Sequence, residues 1–276
     1  MKRQNQNGIR ARVAAMAALA LALALVPFSA AAEDLGSILD KNENMPRPAA
    51  SVAEMRMVIT NKAGQSRTRE IQAWTAYAEG EYNKQMMVFT APADVRDTRF
   101  LTIDWKDAAK PDEQAIYIPA LRKVRTIGAS GGDSKTGAFL GSDFSYADIG
   151  TLDRADFAVK LIGEETLGGA KCWKIQYDAT GDKTIEKYGY GRVIRWIDAA
   201  NYTSRQSEFY DRGGKAVKRL EITGTELVDG KYWQFKAMRM NNLESGGNTL
   251  WEFTKSQNLA QAEEKYFTLR FLERGR

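Results

Sequence analysis

From Ser51 onward the chain alternates apolar and polar residues with a period of two, broken at short intervals by turn-forming residues, and an antiparallel sheet is the fold that accepts this pattern. Ala53, Met55, Met57 and Ile59 share one face of the first stretch. A polar turn over 61–65 leads into a returning strand through Ile71 and Trp74, and Tyr82 to Phe89 makes a third. The same period recurs at Phe157, Val159 and Leu161; at Trp173, Ile175 and Tyr177; at Val193, Arg195 and Ile197 against Ile194 and Trp196; at Trp233, Phe235 and Ala237; and at Leu250 and Glu252 against Trp251 and Phe253. Turn signals stand between these runs at Gly168-Gly169, Asp211 to Gly214, Asp229-Gly230 and Ser245 to Asn248. Ten or so such strands form one large curved antiparallel sheet more economically than two separate domains. Such a sheet buries its concave face only if something covers it. The available covers are a helix over 34–45, the segment 92–99 and the loop 128–149. The helix places Leu35, Ile38 and Leu39 on one side and ends before Pro46 and Pro48.

The first residues describe an export signal. Lys2, Arg3, Arg10 and Arg12 precede an apolar run from Val13 to Val26, shorter than the ~20 residues that span a bilayer, and Ala30-Ala31-Ala32 offers a cleavage site. The expected organisation is a signal peptide over 1–32 and one domain over 33–276. No cysteine follows the cleavage site to take a lipid, so a soluble periplasmic protein is expected. The one cysteine, Cys172, beside Trp173 in an alternating strand, reads as a packed thiol and excludes an internal disulfide. The formal net charge of +5 falls near +1 once the four signal cations are removed, 36 basic against 35 acidic residues. Nucleic acid is therefore not an expected partner.

Catalytic chemistry finds little to work with. The chain has no histidine, which removes Ser-His-Asp and Cys-His catalysis and the commonest transition-metal ligand together. The carboxylate pairs Asp94 with Asp97 and Glu164 with Glu165 sit in polar, turn-like contexts that read as solvated surface. We assign no catalytic residue, no cofactor and no metal. The loop GASGGDSKTG suggests a phosphate cradle, but no Gly-Lys-Ser/Thr follows at the nucleotide-binding spacing, and a connection or lid is the better reading.

The densest stretch runs from Pro92 to Ile149. Leu101, Ile103 and Trp105 form an apolar stripe on one face of a strand; Ala115 to Ile118 is a second apolar run; Arg122, Lys123 and Arg125 make a cationic cluster; and Phe139, Leu140, Phe144 and Tyr146 follow the glycine-rich loop in no regular period. For any one of these apolar residues core filling is the plainer reading. Together, in a sheet too curved to fill its own concavity, Phe89, Leu101, Ile103, Trp105, Ile116, Ile118, Leu121, Phe139, Leu140, Phe144 and Tyr146 are candidates for lining an apolar ligand cavity. The cations are either the wet face of a strand or, with Arg96 and Arg99, contacts at the cavity mouth to a lipid phosphate or an acidic partner. The glycines of 128–146 read as a gate, expected to close over a bound acyl chain and to fray when the cavity is empty.

The runs PADVRDTRFLTIDW, IYIPALRKVRTI and GAFLGSDFSYADI, followed in order by YDATG, YGRVIRWID, FYDRGGKAVKRLEI and FTLRFLERG, resemble the LolA-like family of outer-membrane lipoprotein-sorting proteins, in its periplasmic carrier branch, over essentially all of the mature chain. Asp97 departs from the pattern, standing where a glycine is expected. The resemblance implies a mainly β fold: an incomplete antiparallel barrel whose concave apolar face is closed by short helices and loops. It further implies a periplasmic carrier and leaves its partners as a choice: lipoprotein acyl chains, as for the family's namesake, or another lipid alongside an inner-membrane transporter of the resistance-nodulation-division (RND) type. A monomer is expected and, with no histidine in the chain, not an enzyme. A lipid-sensing regulatory module of the same fold is the alternative that the resemblance leaves open.

Overall fold

The computed structural model describes residues 33–107, 109–128 and 134–276. The expected signal peptide lies outside them, as do positions 129–133 of the glycine-rich loop. Among the described residues the chain opens with helix α1 (Leu35–Glu43), one residue inside the expected start and two inside the expected end. The Asp34 carboxylate accepts the Ser37 N–H at 3.2 Å, satisfying one of the amides that a helix start leaves without a partner, and the helix buries Ile38 and Leu39.

Thirteen strands follow among the described residues: β1 (Ala50–Thr60), β2 (Ser66–Ala78), β3 (Tyr82–Ala91), β4 (Arg99–Trp105), β5 (Glu113–Ile118), β6 (Lys123–Thr126), β7 (Phe157–Leu167), β8 (Ala170–Ala179), β9 (Arg192–Asp198), β10 (Ser204–Tyr210), β11 (Ala216–Val228), β12 (Tyr232–Asn242) and β13 (Asn248–Leu259). They form one antiparallel sheet in the order β6-β5-β4-β3-β2-β1-β13-β12-β11-β10-β9-β8-β7. Two meanders are thus joined at their middle, where β13 returns to pair with β1 in the register Met57 opposite Trp251. The sheet has two edges, β6 and β7, and does not close into a barrel. Short helices α2 (Tyr146–Ile149), α3 (Asp182–Tyr188) and α4 (Leu269–Arg274) complete the fold.

The sheet curls around an aromatic centre. Phe139 lies 5.0 Å from Phe100 on β4 and 6.1 Å from Trp251 on β13, ring centre to ring centre. Those two strands are four neighbours apart, about 19 Å in a flat sheet. One ring reaches both only because the sheet bends toward it. The inward faces of nearly all the strands, together with α1 and the loop 139–146, therefore merge into one core.

The outward face is not left bare. After β13 the chain crosses back over β2 to β5, where Phe267, Phe271 and Leu272 pack on Ala76, Met86, Leu101, Ile103 and Ala115. Tyr266 stacks on Trp74 at 4.5 Å. Arg99 fixes this cover in place, donating from its guanidinium to the carbonyls of Leu272 (2.7 Å) and Glu273 (2.8 Å) at the end of α4, where cations complement the helix dipole. Strand β4 is consequently buried on both faces.

At the far edge the expected alternation outruns the core. Phe157 is buried, but Leu161 and Ile162 on the edge strand are about 40% exposed (39% and 41%). Asp97 takes a φ of 64°, so the turn before β4 has the left-handed backbone for which a glycine is expected, held instead by an aspartate, one of the few residues that tolerate it. Cys172 is fully buried, and burial pushes its thiol pKa up, as befits a packed side chain.

Candidate functional site

The concave face is filled by a plug made of the chain itself. Residues 135–147 fold into a compact loop in which the Phe139 N–H donates to the Phe144 carbonyl (2.7 Å), the Tyr146 N–H to Gly137 (3.1 Å) and the Ala147 N–H to Lys135 (2.7 Å). Its side chains Phe139, Phe144 and Tyr146 are buried among Phe89, Phe100 and Trp251. At its tip Leu140 and Gly141 both take left-handed backbone, with φ 49° and 73°. That costs a residue with a Cβ about 1–2 kcal/mol. At Gly141 a Cβ would also stand 2.8 Å from the Arg67 guanidinium, so a side chain there would strain the backbone and displace the arginine from its carbonyl.

Two sets of polar contacts hold the plug, and they differ in kind. At the base, Ser145 and Asp148 form a reciprocal cap on α2, and the buried Asp148 carboxylate also accepts the Tyr190 hydroxyl (2.8 Å) and the Lys218 ammonium (3.0 Å). Burial, with Asp148 alongside, raises the Tyr190 phenol well above its ordinary pKa, so it stays a donor. At the tip, Arg67 donates to the Gly141 carbonyl and Arg69 to the Leu140 carbonyl, both at 2.6 Å, and the Thr249 hydroxyl accepts the Asp143 N–H (3.0 Å) while donating to its carboxylate (2.7 Å). The base is an anchor of matched buried charges. The tip is a strained backbone gripped mainly through its carbonyls.

Strand register explains why those residues meet. On the inward face of β2 stand Arg67, Arg69, Ile71 and Ala73; Arg69 lies opposite Met57, which lies opposite Trp251, and Arg67 lies opposite Ile59, which lies opposite Thr249. The Trp251 Nε1 is buried beneath the plug with no partner among the described residues. An open cleft of about 650 Å³ adjoins the tip, lined by Ile59, Lys62, Arg67, Gly141 and Asp143 among others.

The structure divides the residues expected to line a cavity. Phe89, Ile116, Phe139, Phe144 and Tyr146 come together in the inward core, with Ile118 and Leu140 at its margin. Leu101, Ile103 and Trp105 do not join them, because on β4 it is Phe100, Thr102 and Asp104 that point inward, and the expected stripe lies on the opposite face under α4 and its approach. Leu121 is 56% exposed in the turn between β5 and β6. Of the expected mouth cations, Arg99 is buried as the clamp on α4. Arg96 is exposed and donates to the Thr90 carbonyl; Arg122, Lys123 and Arg125 are exposed at the β6 edge. Of the expected gate, Phe139, Phe144 and Tyr146 are packed in the inward core, while positions 129–133 lie outside the described residues. Arg67, Arg69, Met57 and Trp251 were not expected, although two arginines at the inward positions of an alternating strand are the signal that finds them.

Beneath the base of the plug lies a polar pocket of about 10 Å³, room for about one water, bordered by Asp104, Asp112, Gln114, Lys135 and Thr151. Burial raises the Asp104 carboxyl pKa despite a 2.6 Å hydrogen bond from the Thr151 hydroxyl. The folded state thus holds the proton more tightly than the unfolded chain, and the ionised group lowers stability as pH rises from the unfolded value through the folded one. Asp104→Asn is expected to raise the melting temperature at pH 7 and to lose that advantage as pH falls below about 4. Melting curves of both proteins across pH 3–8 check it; an equal difference at every pH contradicts it.

A model of a family described as "Uncharacterized protein" matches residues 81–274. A comparison with curated proteins gives no match. Among solved structures, an outer membrane lipoprotein-sorting protein domain from Vibrio parahaemolyticus superposes with a TM-score of 0.78 at 28% identity, covering 86% of this chain and 97% of its own. A DUF1329 family protein from Desulfovibrio piger gives 0.77 at 25% identity, over 86% and 96%. A LolA superfamily protein from Nitrosomonas europaea gives 0.65 at 17% identity, over 87% and 100%, a likeness of fold.

Proposed function

The chain belongs to the LolA-like family, and from that premise we propose that it is a periplasmic carrier whose concave face takes up the acyl chains of a lipoprotein or another lipid in exchange for its own plug. The observation that carries this reading is the plug itself: an aromatic filling of an apolar trough, borne on a loop with a strained tip, where a continuous core has no need of one. Burying Phe139, Phe144 and Tyr146 contributes about 5–9 kcal/mol, and burying a chain of ~16 carbons about 13 kcal/mol. The chain wins, by a margin that association costs then narrow further. A shallow margin suits a carrier, which has to release what it captures. Among the described residues no helix is long and apolar enough to cross a membrane. Residues 1–32 act, on this reading, as the export signal, and the cargo passes from an RND-type transporter in the inner membrane toward the outer membrane. Lipid extracted from protein purified without detergent and analysed by mass spectrometry is expected to contain acyl chains at close to one cargo per protein. Extracts free of acyl lipid, from protein that also fails to take up added fatty acid, overturn the reading.

A further inference from the structure

We infer that Arg67 and Arg69 are the headgroup site of the cavity, and that the cargo is an amphiphile with an oxyanion head, a carboxylate or a phosphate, next to its acyl chain. The inference deepens the carrier reading and rests on it.

Arg69 is only 7% exposed, and its guanidinium lies over the Phe89 ring at 5.9 Å. No carboxylate forms an ion pair with it, or with Arg67, among the described residues. Its hydrogen bond is to the Leu140 carbonyl, and that of Arg67 is to the Gly141 carbonyl. Buried cations are ordinarily matched by anions, because a carbonyl offers only a partial charge in return for the lost hydration. Here two guanidiniums, each with five donors, face two carbonyl oxygens of a loop that has to leave when cargo enters. Burial and the neighbouring Arg67 push the Arg69 pKa down, against the weaker opposing pull of the Asp94 carboxylate, which makes no ion pair with it.

Displacing the plug removes both carbonyls at once. An alkyl chain alone would then leave Arg69 unpartnered in an apolar trough. A carboxylate or phosphate satisfies it, and the planar fork of arginine matches either group through paired N–H donors. Two strands away on the same row of the sheet, about 10 Å along it, the Trp251 indole N–H also waits without an acceptor. Buried donors without partners are rare, and an ester or acid carbonyl at the head of the chain would satisfy this one. The cleft beside Arg67 and Gly141 gives the head a route to solvent while the tail lies in the trough.

The test is displacement of a fluorescent acyl probe from the full mature protein by three competitors of equal chain length: a fatty acid, a lysophosphatidic acid and an uncharged monoacylglycerol. The two anions are expected to compete at least about tenfold better than the uncharged lipid, since charge-assisted hydrogen bonds are among the strongest available. The stronger of the two anions identifies the head. In R67Q/R69Q the ratio of anionic to uncharged affinity is expected to fall toward one. Should that variant fail to fold, R67E, at an exposed position, is expected to cut the ratio at least about threefold. Equal competition by all three lipids, or an anion preference that survives the substitutions, overturns the headgroup site and leaves the carrier intact. Failure of any acyl lipid to compete overturns the carrier reading and this site with it.

Discussion

Phe139→Ala is expected to raise the affinity for a fluorescent acyl probe by about tenfold or more, while lowering thermal stability. Both effects come from one ring. Phe139 is fully buried at the centre of the aromatic group, in contact with Phe89, Phe100, Tyr146 and Trp251. Truncating a buried phenylalanine costs about 3–5 kcal/mol. If the plug can leave the sheet, that loss falls on the docked state of the plug, which competes with cargo for the same trough, and every kilocalorie taken from the competitor is returned as affinity until the plug no longer docks. An ordinary core position behaves otherwise, since a cavity in a fixed core weakens the fold and offers cargo nothing. Probe titration and a melting curve on the same preparation decide the matter. Affinity that is unchanged or lower in a folded Phe139→Ala protein contradicts the exchange.

Leu272→Ala is expected to do the opposite: to lower the melting temperature by about 5–15 °C and to leave probe affinity as it was. Leu272 has no exposed surface and packs with Phe267 and Phe271 on the outward face of β2 to β5. A leucine-to-alanine change in such a place costs about 2–5 kcal/mol, and in a domain of this size each kilocalorie is worth about 2–4 °C. The affinity is spared because the outward cluster and the trough share a sheet but no side chains. Ile103→Asp belongs with this variant. It places an unpaired carboxylate under α4 rather than in the trough, so unfolding, and not a blocked cavity, is its expected effect. A probe affinity that falls in a folded Leu272→Ala protein would mean that cargo binds on the outward face.

Much of the architecture was legible because a period of two is a local property. Met55 and Met57 point inward as their spacing requires, α1 ends where Pro46 forbids more of it, and the glycine pairs mark hairpins. The count of strands was low, thirteen against ten or so, because short strands such as β6 carry too few residues to show a period. What alternation cannot tell is which of two buried faces is the concave one. On β4 the apolar stripe points outward and the mixed face of Phe100, Thr102 and Asp104 points inward, and the choice is made by Phe267, Phe271 and Leu272, some 170 residues away, which claim Leu101 and Ile103 for the outside. Arg99 was assigned to a cavity mouth for the same reason: its carbonyl partners on α4 are remote in sequence. The plug was legible as a group of large apolar residues without period, but its state was not. Whether Phe139 covers a cavity or fills it depends on how tightly the sheet curls, and that follows from which strands are neighbours.

Hydrogen exchange at the plug amides, with and without fatty acid, tests the exchange directly. In the free protein the amides of Phe139, Ser142 and Tyr146 are hydrogen-bonded within the plug and shielded by its packing. The account predicts that fatty acid lowers their protection, as the rings leave the trough, while β13 and the anchored Asp148 remain protected. Protection that is equal or higher with lipid bound would show that the plug stays in place, and that cargo does not take its space.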